Sequence, residues 1–274
     1  MLPLATVSTH AAATRVISER AVVSQAGYRP AARMERAAAA PRGGIVRGVQ
    51  WKGGGLVVKT TGREFFTMDG EEYSCSGSVV GGPNPNVVVT AAHCVSDGAG
   101  GWASDWTFVP GYDDGREPHG SFAASRFYVP SQWTSGGDED ENDVAFVTLH
   151  QARVGDTMRS VASVVGSQPV KFRTKNKTVT VFGYPAEAPY TGETLDYCRG
   201  PVSPDPYGAA AVGVECAMTE GDSGGPWLSG FNAKTGAGTI TGVTSFKYSG
   251  EDSLLYAASL GPQAQALYSH AEHP

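Results

Sequence analysis

Gly221-Asp222-Ser223-Gly224-Gly225-Pro226 runs straight into Trp227-Leu228, and the residues after the serine separate two architectures. A Gly-x-Ser-x-Gly serine on a strand–turn–helix elbow needs a helix immediately after it. Here Pro226 stands three residues on, and Trp227-Leu228 continues as a strand. The glycines have a chemical reading as well. A nucleophilic serine needs an exposed Oγ and backbone N–H groups aimed at the reacting carbonyl oxygen, and flanking glycines let the backbone turn tightly and admit substrate. The N–H groups of Gly221 and Ser223 are the candidates for that oxyanion hole.

On either side of this stretch the pattern from about Gly44 is β. Candidate strands are Leu56–Thr60, Glu64–Met68, Ser76–Val80, Val87–Thr90, Trp106–Pro110, Phe122–Val129 and Val144–Leu149, then Thr178–Gly183, Thr194–Arg199, Gly213–Met218, Gly225–Leu228, Thr239–Phe246 and Leu255–Ala258. Clusters of Gly, Pro, Asn or Asp separate most of them. So many short runs argue for an all-β barrel or sandwich. Pro262–His270 alone reads as an amphipathic helix, with Ala264, Leu267 and Tyr268 near one face.

Two further motifs precede the serine. In Thr90-Ala91-Ala92-His93-Cys94 an apolar strand runs into small residues and then a histidine, and the small side chains leave room around the imidazole. In Asn142-Asp143-Val144-Ala145 an acid stands at the head of an apolar run, where a carboxylate can accept a hydrogen bond from a histidine Nδ1. Asp138, Glu139, Asp140 and Glu141 read as a solvated acidic loop. Calcium on the Asp138–Asp143 loop is a further possibility that the acidic residues leave open.

These three motifs, in the order His…Asp…Ser, resemble the chymotrypsin-like serine proteases of the trypsin fold, and within them the secreted microbial trypsin-like and V8-like peptidases. The resemblance covers about residues 44–270. It implies two packed six-stranded antiparallel barrels, about 45–155 and 156–274, with a short C-terminal helix and the site between the barrels. It implies that His93 is the general base, that Asp143 fixes its tautomer, that Ser223 is the nucleophile, and that Ser245 supports Asp143 and lines the cleft. It implies an acyl-enzyme route acting on protein or peptide substrates without a cofactor or metal. Four cysteines allow three pairings; the family pairing is Cys75–Cys94, with Cys198–Cys216 remaining. Each would close a loop of some twenty residues, stabilising by about 3 kcal/mol.

The chain departs from the family in three places. Ala217 stands at the pocket-floor position where a basic-specific member has Asp, so cleavage after Arg or Lys is not expected; Met218 is read beside it, with Thr244 and Phe246 on the cleft wall. Thr244 also stands where glutamate-specific relatives place a His. An apolar P1 residue is therefore the favoured expectation, with P1 Glu second. Finally, Arg42-Gly43-Gly44-Ile45-Val46-Arg47-Gly48 only partly matches the self-activating N-terminus of the family. That leaves a new N-terminus and Arg199 as two candidate partners for Asp222.

Three other readings have less support. A serine esterase on the elbow fold could call on Asp252 and His270, but it lacks the strand–helix alternation. A non-catalytic binding relative usually loses a triad member, and here all three are present. A zinc site lacks Cys-x-x-C or paired Cys/His spacing.

Residues 1–44 form a segment apart, with 12 Ala, six Arg and only two acids, for a net charge of +4. The remaining 230 residues carry −10. The charge break marks the segment as a tail or a cleavable pro-segment. Residues 1–14 do not read as a secretory leader, since no Lys or Arg precedes their apolar stretch. Paired cysteines and the family still point to a secreted, monomeric protein. A net charge of −6 gives no footprint for nucleic acid, and no run of 18 apolar residues marks a membrane span.

Overall fold

The computed structural model describes residues 17–21, 46–135, 142–207, 211–248 and 251–273. Six antiparallel strands make the first barrel: Thr61–Met68, Glu71–Val79, Val87–Thr90, Ser104–Pro110, Phe122–Pro130 and Ala145–Leu149. It closes because Phe122–Pro130 pairs with Ser104–Pro110 and also with Ala145–Leu149. Six more make the second barrel: Thr178–Gly183, Asp196–Pro201, Val212–Glu215, Pro226–Asn232, Ala237–Phe246 and Leu254–Ser259. This one closes where Asp196–Pro201 runs on into Ser203–Pro204, which pairs with Val212–Gly213.

Three apolar clusters fill the molecule. Phe66, Val88, Trp106, Phe108, Phe122 and Phe127 belong to the core of the first barrel, and Val181, Val214, Met218, Trp227 and Leu255 to that of the second. The third cluster lies between them, where Val87, Val89 and Phe146 meet Phe182, Leu228 and Val243. Alternation explains the division: successive strand residues face opposite sides, so Val88 faces its own barrel while Val87 and Val89 face the neighbour. The helix Pro262–Ala271 buries Ala264, Leu267 and Ala271 in this middle cluster. Tyr268 Oη donates to Gly81 O (2.7 Å), and Asn84 Nδ2 donates to Ala271 O (2.8 Å). The last element of the chain is thereby tied back to the first barrel.

One expected strand is a helix. Leu56–Thr60 forms a single α-helical turn. Val57 and Val58 favour a strand locally, but tertiary contacts decide: Leu56 N and Val57 N donate to Thr235 O and Gly236 O at 2.8 and 2.9 Å, and Val57 and Thr60 are fully buried. The segment before it, Val49–Gln50, pairs with Asp196–Tyr197 of the second barrel before the chain enters the first.

Candidate active site

Register brings the histidine and the acid together. Strand Val87–Thr90 pairs antiparallel with Ala145–Leu149, with Thr90 opposite Ala145. His93, three residues past Thr90, and Asp143, two residues before Ala145, therefore leave the sheet at the same edge. Ala91 and Ala92 are completely buried, and the Cys75–Cys94 disulfide fastens the turn that carries His93. Both oxygens of Asp143 are committed. Oδ1 accepts from His93 N (2.9 Å); Oδ2 lies 2.8 Å from His93 Nδ1 and accepts from Ser245 Oγ at 2.5 Å. A carboxylate at Nδ1 fixes the proton there and leaves Nε2 as the acceptor nitrogen. Burial alone would lower the pKa of His93, but the charge and hydrogen bond of Asp143 outweigh it and hold it above the usual value.

Ser245 reaches Asp143 because its strand is irregular. The ladder to Leu254–Ser259 shifts between Thr244 and Phe246, and such a bulge re-aims side chains. Thr244 turns inward: its Oγ1 accepts from Trp227 Nε1 (3.1 Å) and donates to Asp222 Oδ2 (3.0 Å).

The serine loop is held from several directions. Ser76 N donates to Ser223 O (2.8 Å), Gly224 N to Thr244 O (2.8 Å) and Thr244 N to Gly225 O (2.9 Å). Ala186 N donates to Glu220 O (2.6 Å). In a trans peptide the C=O and N–H point opposite ways, so with the Glu220 carbonyl drawn to Ala186 the Gly221 N–H points away from it. Gly221 has φ +95°, and a Cβ there would lie 2.7 Å from Tyr184 O; only glycine fits this turn.

Ser76, which no sequence motif singles out, is a junction between the barrels. It is completely buried. Its Oγ donates to Gly221 O (2.8 Å) and accepts from Tyr184 N (2.8 Å). Behind it, Thr90 Oγ1 lies 2.8 Å from Glu64 Oε2 and 3.0 Å from Ser76 O. Burial pushes the pKa of Glu64 well up, against the opposing effect of the hydrogen bond that Thr90 Oγ1 donates to it. The contacts of Ser76 span more than a hundred residues of sequence, beyond the reach of any local pattern.

The pocket residues divide. Ala217 is half-buried, and its N–H donates to Val46 O (2.9 Å). Met218 is completely buried in the core of the second barrel, and Thr244 is engaged by Asp222, so neither side chain is presented as the counting of positions suggests. Phe246 stacks on Tyr256 (5.0 Å between centroids) and meets Tyr248 edge-on. Lys247 is half-buried and donates to Asp252 O (2.9 Å). Asp222 is completely buried, and burial pushes its pKa up to about 7. Arg199, one of the two candidate partners for it, is exposed on its strand.

The disulfides are Cys75–Cys94 and Cys198–Cys216. Cys75, His93 and Cys94 crowd together, yet both sulfurs are joined in a disulfide and His93 Nδ1 is held by Asp143, so this set does not fit a metal centre. The Asp138–Glu141 part of the acidic loop considered for calcium lies outside the described residues. A cavity of about 440 Å³ between Trp51, Lys59, Tyr112, His119 and Tyr184 is lined by none of His93, Asp143 and Ser223.

Residues 56–259 match the family described as Trypsin. The crystal structure of the protease Anisep from Arthrobacter nicotinovorans is 36% identical with a TM-score of 0.73, covering 80% of this chain and 98% of that one. An extracellular metalloprotease of Bacillus subtilis is 42% identical over 66 residues, 24% of this chain. A glutamyl endopeptidase of Bacillus licheniformis is 31% identical over 137 residues, 47% of this chain. The matched stretches span only 20% and 38% of the lengths of these two Bacillus proteins.

Proposed function

The chain belongs to the trypsin family of serine proteases, and on that footing we propose that it is a secreted serine endopeptidase working through His93, Asp143 and Ser223. The observation that carries this reading is the double engagement of Asp143, which leaves His93 one free basic nitrogen. Ser223 Oγ attacks the peptide carbonyl carbon as His93 Nε2 takes its proton. The Asp143 carboxylate stabilises the imidazolium. The oxyanion of the tetrahedral intermediate faces the N–H groups of Gly221 and Ser223. As the C–N bond breaks, His93 passes the proton to the leaving amine, and an ester on Ser223 remains. Water then attacks the ester carbon as His93 takes its proton; the acyl–Oγ bond breaks, His93 returns the proton to Ser223 Oγ, and the acid leaves.

The substrates are proteins or peptides. The half-buried Lys247 and the absence of a carboxylate at Ala217 disfavour a basic P1 residue. Lys247 also supports P1 Glu as the second reading, in keeping with the glutamyl endopeptidase relative. Residues 1–44 are read as a pro-segment removed between about Arg36 and Val46.

The test is Ser223→Ala together with an organophosphonate probe. The variant is expected to fold normally and lose about 10⁶-fold in turnover, while the probe labels Ser223 of the unsubstituted protein. Undiminished peptidase activity in the variant overturns the mechanism.

A further inference from the structure

Strand Ile17–Ala21 lies far ahead of the barrels in sequence, yet it pairs with the first of them. Its register against Phe122–Pro130 runs from Ile17 opposite Pro130 to Ala21 opposite Arg126. The barrel leaves room for it there. Ser104–Pro110 meets Phe122–Pro130 only at Phe122 and Ala123, and along Arg126–Pro130 one ladder is made by residues 17–21. The other side is already paired, through Arg126, Phe127 and Tyr128, with Ala145–Leu149. Unpaired strand edges recruit other strands, and here residues 17–21 fill the place.

Two further observations favour this occupant. The Arg20 guanidinium lies 6.0 Å from the centroid of the Trp102 ring, and that ring stacks on Phe127 of the receiving strand with planes 8° apart. A cation over an aromatic face is attracted by its quadrupole. Charge is complementary as well, with +4 on residues 1–44 against −10 on the rest, which favours association of the two parts.

We propose that Ile17–Ala21 is a docking strand that keeps the N-terminal segment on the first barrel as a non-covalent cap after the chain is cut downstream of it. The proposal rests on the reading of residues 1–44 as a cleavable segment. The capped strand is the direct partner of Ala145–Leu149, so the cap also braces the strand that begins two residues after Asp143.

The test uses the full chain carrying Ser223→Ala, with the recognition sequence of an unrelated protease inserted after Arg36. The cut is thus independent of natural processing, which N-terminal sequencing of the active protein checks separately. After cutting, gel filtration and native mass spectrometry at about 0.15 M salt are expected to find the fragment bound one-to-one to the barrels. Only alternate N–H groups of an edge strand face its partner, so Ser18→Pro and Glu19→Pro are combined; this pair is expected to weaken retention at least tenfold. Release of the fragment from the unsubstituted chain overturns the proposal, as does retention in the double variant or a two-to-two species that exchanges strands between copies. Amide exchange on the uncut Ser223→Ala protein gives a reading that does not depend on the double variant folding. Protection of at least tenfold within residues 17–21 is expected, and exchange there at the rate of an unstructured peptide overturns the docking.

Discussion

At the scale of single residues, the proposed mechanism leans on a side chain outside its three reacting residues. Ser76 Oγ is donor to Gly221 O and acceptor from Tyr184 N; both partners belong to the walls of the oxyanion turn, and Ser76 itself belongs to the other barrel. Replacing it with alanine leaves two backbone groups without their partner in a closed interior, which costs about 1–3 kcal/mol for each buried group that stays unsatisfied. Loss of an oxyanion donor outright typically costs about 10²–10³ in kcat. Ser76→Ala only loosens the turn that aims the donor, so kcat is expected to fall about tenfold to a hundredfold with KM within about threefold. Steady-state kinetics alongside a thermal midpoint check it, and an unchanged kcat would refute the positioning role. The three residues proposed for catalysis can be picked out in the sequence because each sits in a local string with its own chemical logic. Ser76 is not, because its role exists only after residues more than a hundred positions apart have come together.

At the scale of elements, most strands can be read from the sequence because turn residues punctuate them and their apolar content is continuous. Thr178–Gly183 and Val87–Thr90 have the bounds that the pattern implies. Leu56–Thr60 cannot be read this way, since its two valines favour a strand and the carbonyls that make it a helical turn come from Thr235 and Gly236. The pocket shows the same limit. Counting back from Ser223 gives positions along a loop but not the facing of side chains: Met218 turns into the core, and the shift after Thr244 sends that hydroxyl to Asp222 and Ser245 to Asp143. The proposed disfavour for a basic P1 side chain does not rest on those two side chains, because it turns on Ala217, which supplies no carboxylate. A P1 Arg or Lys buried without a partner carries a high desolvation cost. Across matched p-nitroanilide peptides that differ only at P1, kcat/KM for Arg is expected to be no greater than for Phe, Leu or Glu. A value for Arg at least tenfold above all three would show that a carboxylate reaches the pocket from elsewhere.

At the scale of the whole molecule, the buried carboxyls pull stability in one direction with pH, while His119 and Lys247, whose pKa values burial lowers, pull the other way. Asp222 is completely buried; Thr244 holds one of its oxygens, and the other has no partner among the described residues. Burial pushes its pKa up to about 7, against the opposing effects of the Thr244 hydrogen bond and the Lys247 charge. Glu64 is raised well above the ordinary carboxylate value, and Asp196 and Glu272 are raised too, in each case chiefly by burial. A carboxyl whose folded pKa exceeds its unfolded value keeps a proton in the native state that the unfolded chain has released. Stability therefore falls as pH rises through the interval between the two values, about 4 to 7 for Asp222. His93 has the same sign: its pKa is raised by Asp143, so the stability it contributes is present below the unfolded value and is lost as pH climbs through the folded one. The proposed catalysis runs the other way, since in it His93 is neutral when it accepts the Ser223 proton. The thermal midpoint of the Ser223→Ala protein, which cannot digest itself, is expected to rise by several degrees as pH is lowered from about 8 to about 5 at constant ionic strength. Over the same range kcat/KM of the active protein should fall. Asp222→Asn removes the carboxyl whose folded pKa lies near 7 and should flatten the midpoint curve between about pH 4 and 7 without changing the inflection that His93 gives to kcat/KM. A midpoint that stays level or drops on acidification would mean that these carboxyls meet cations or water in the folded protein, and that a neutral, proton-holding interior is the wrong account of them.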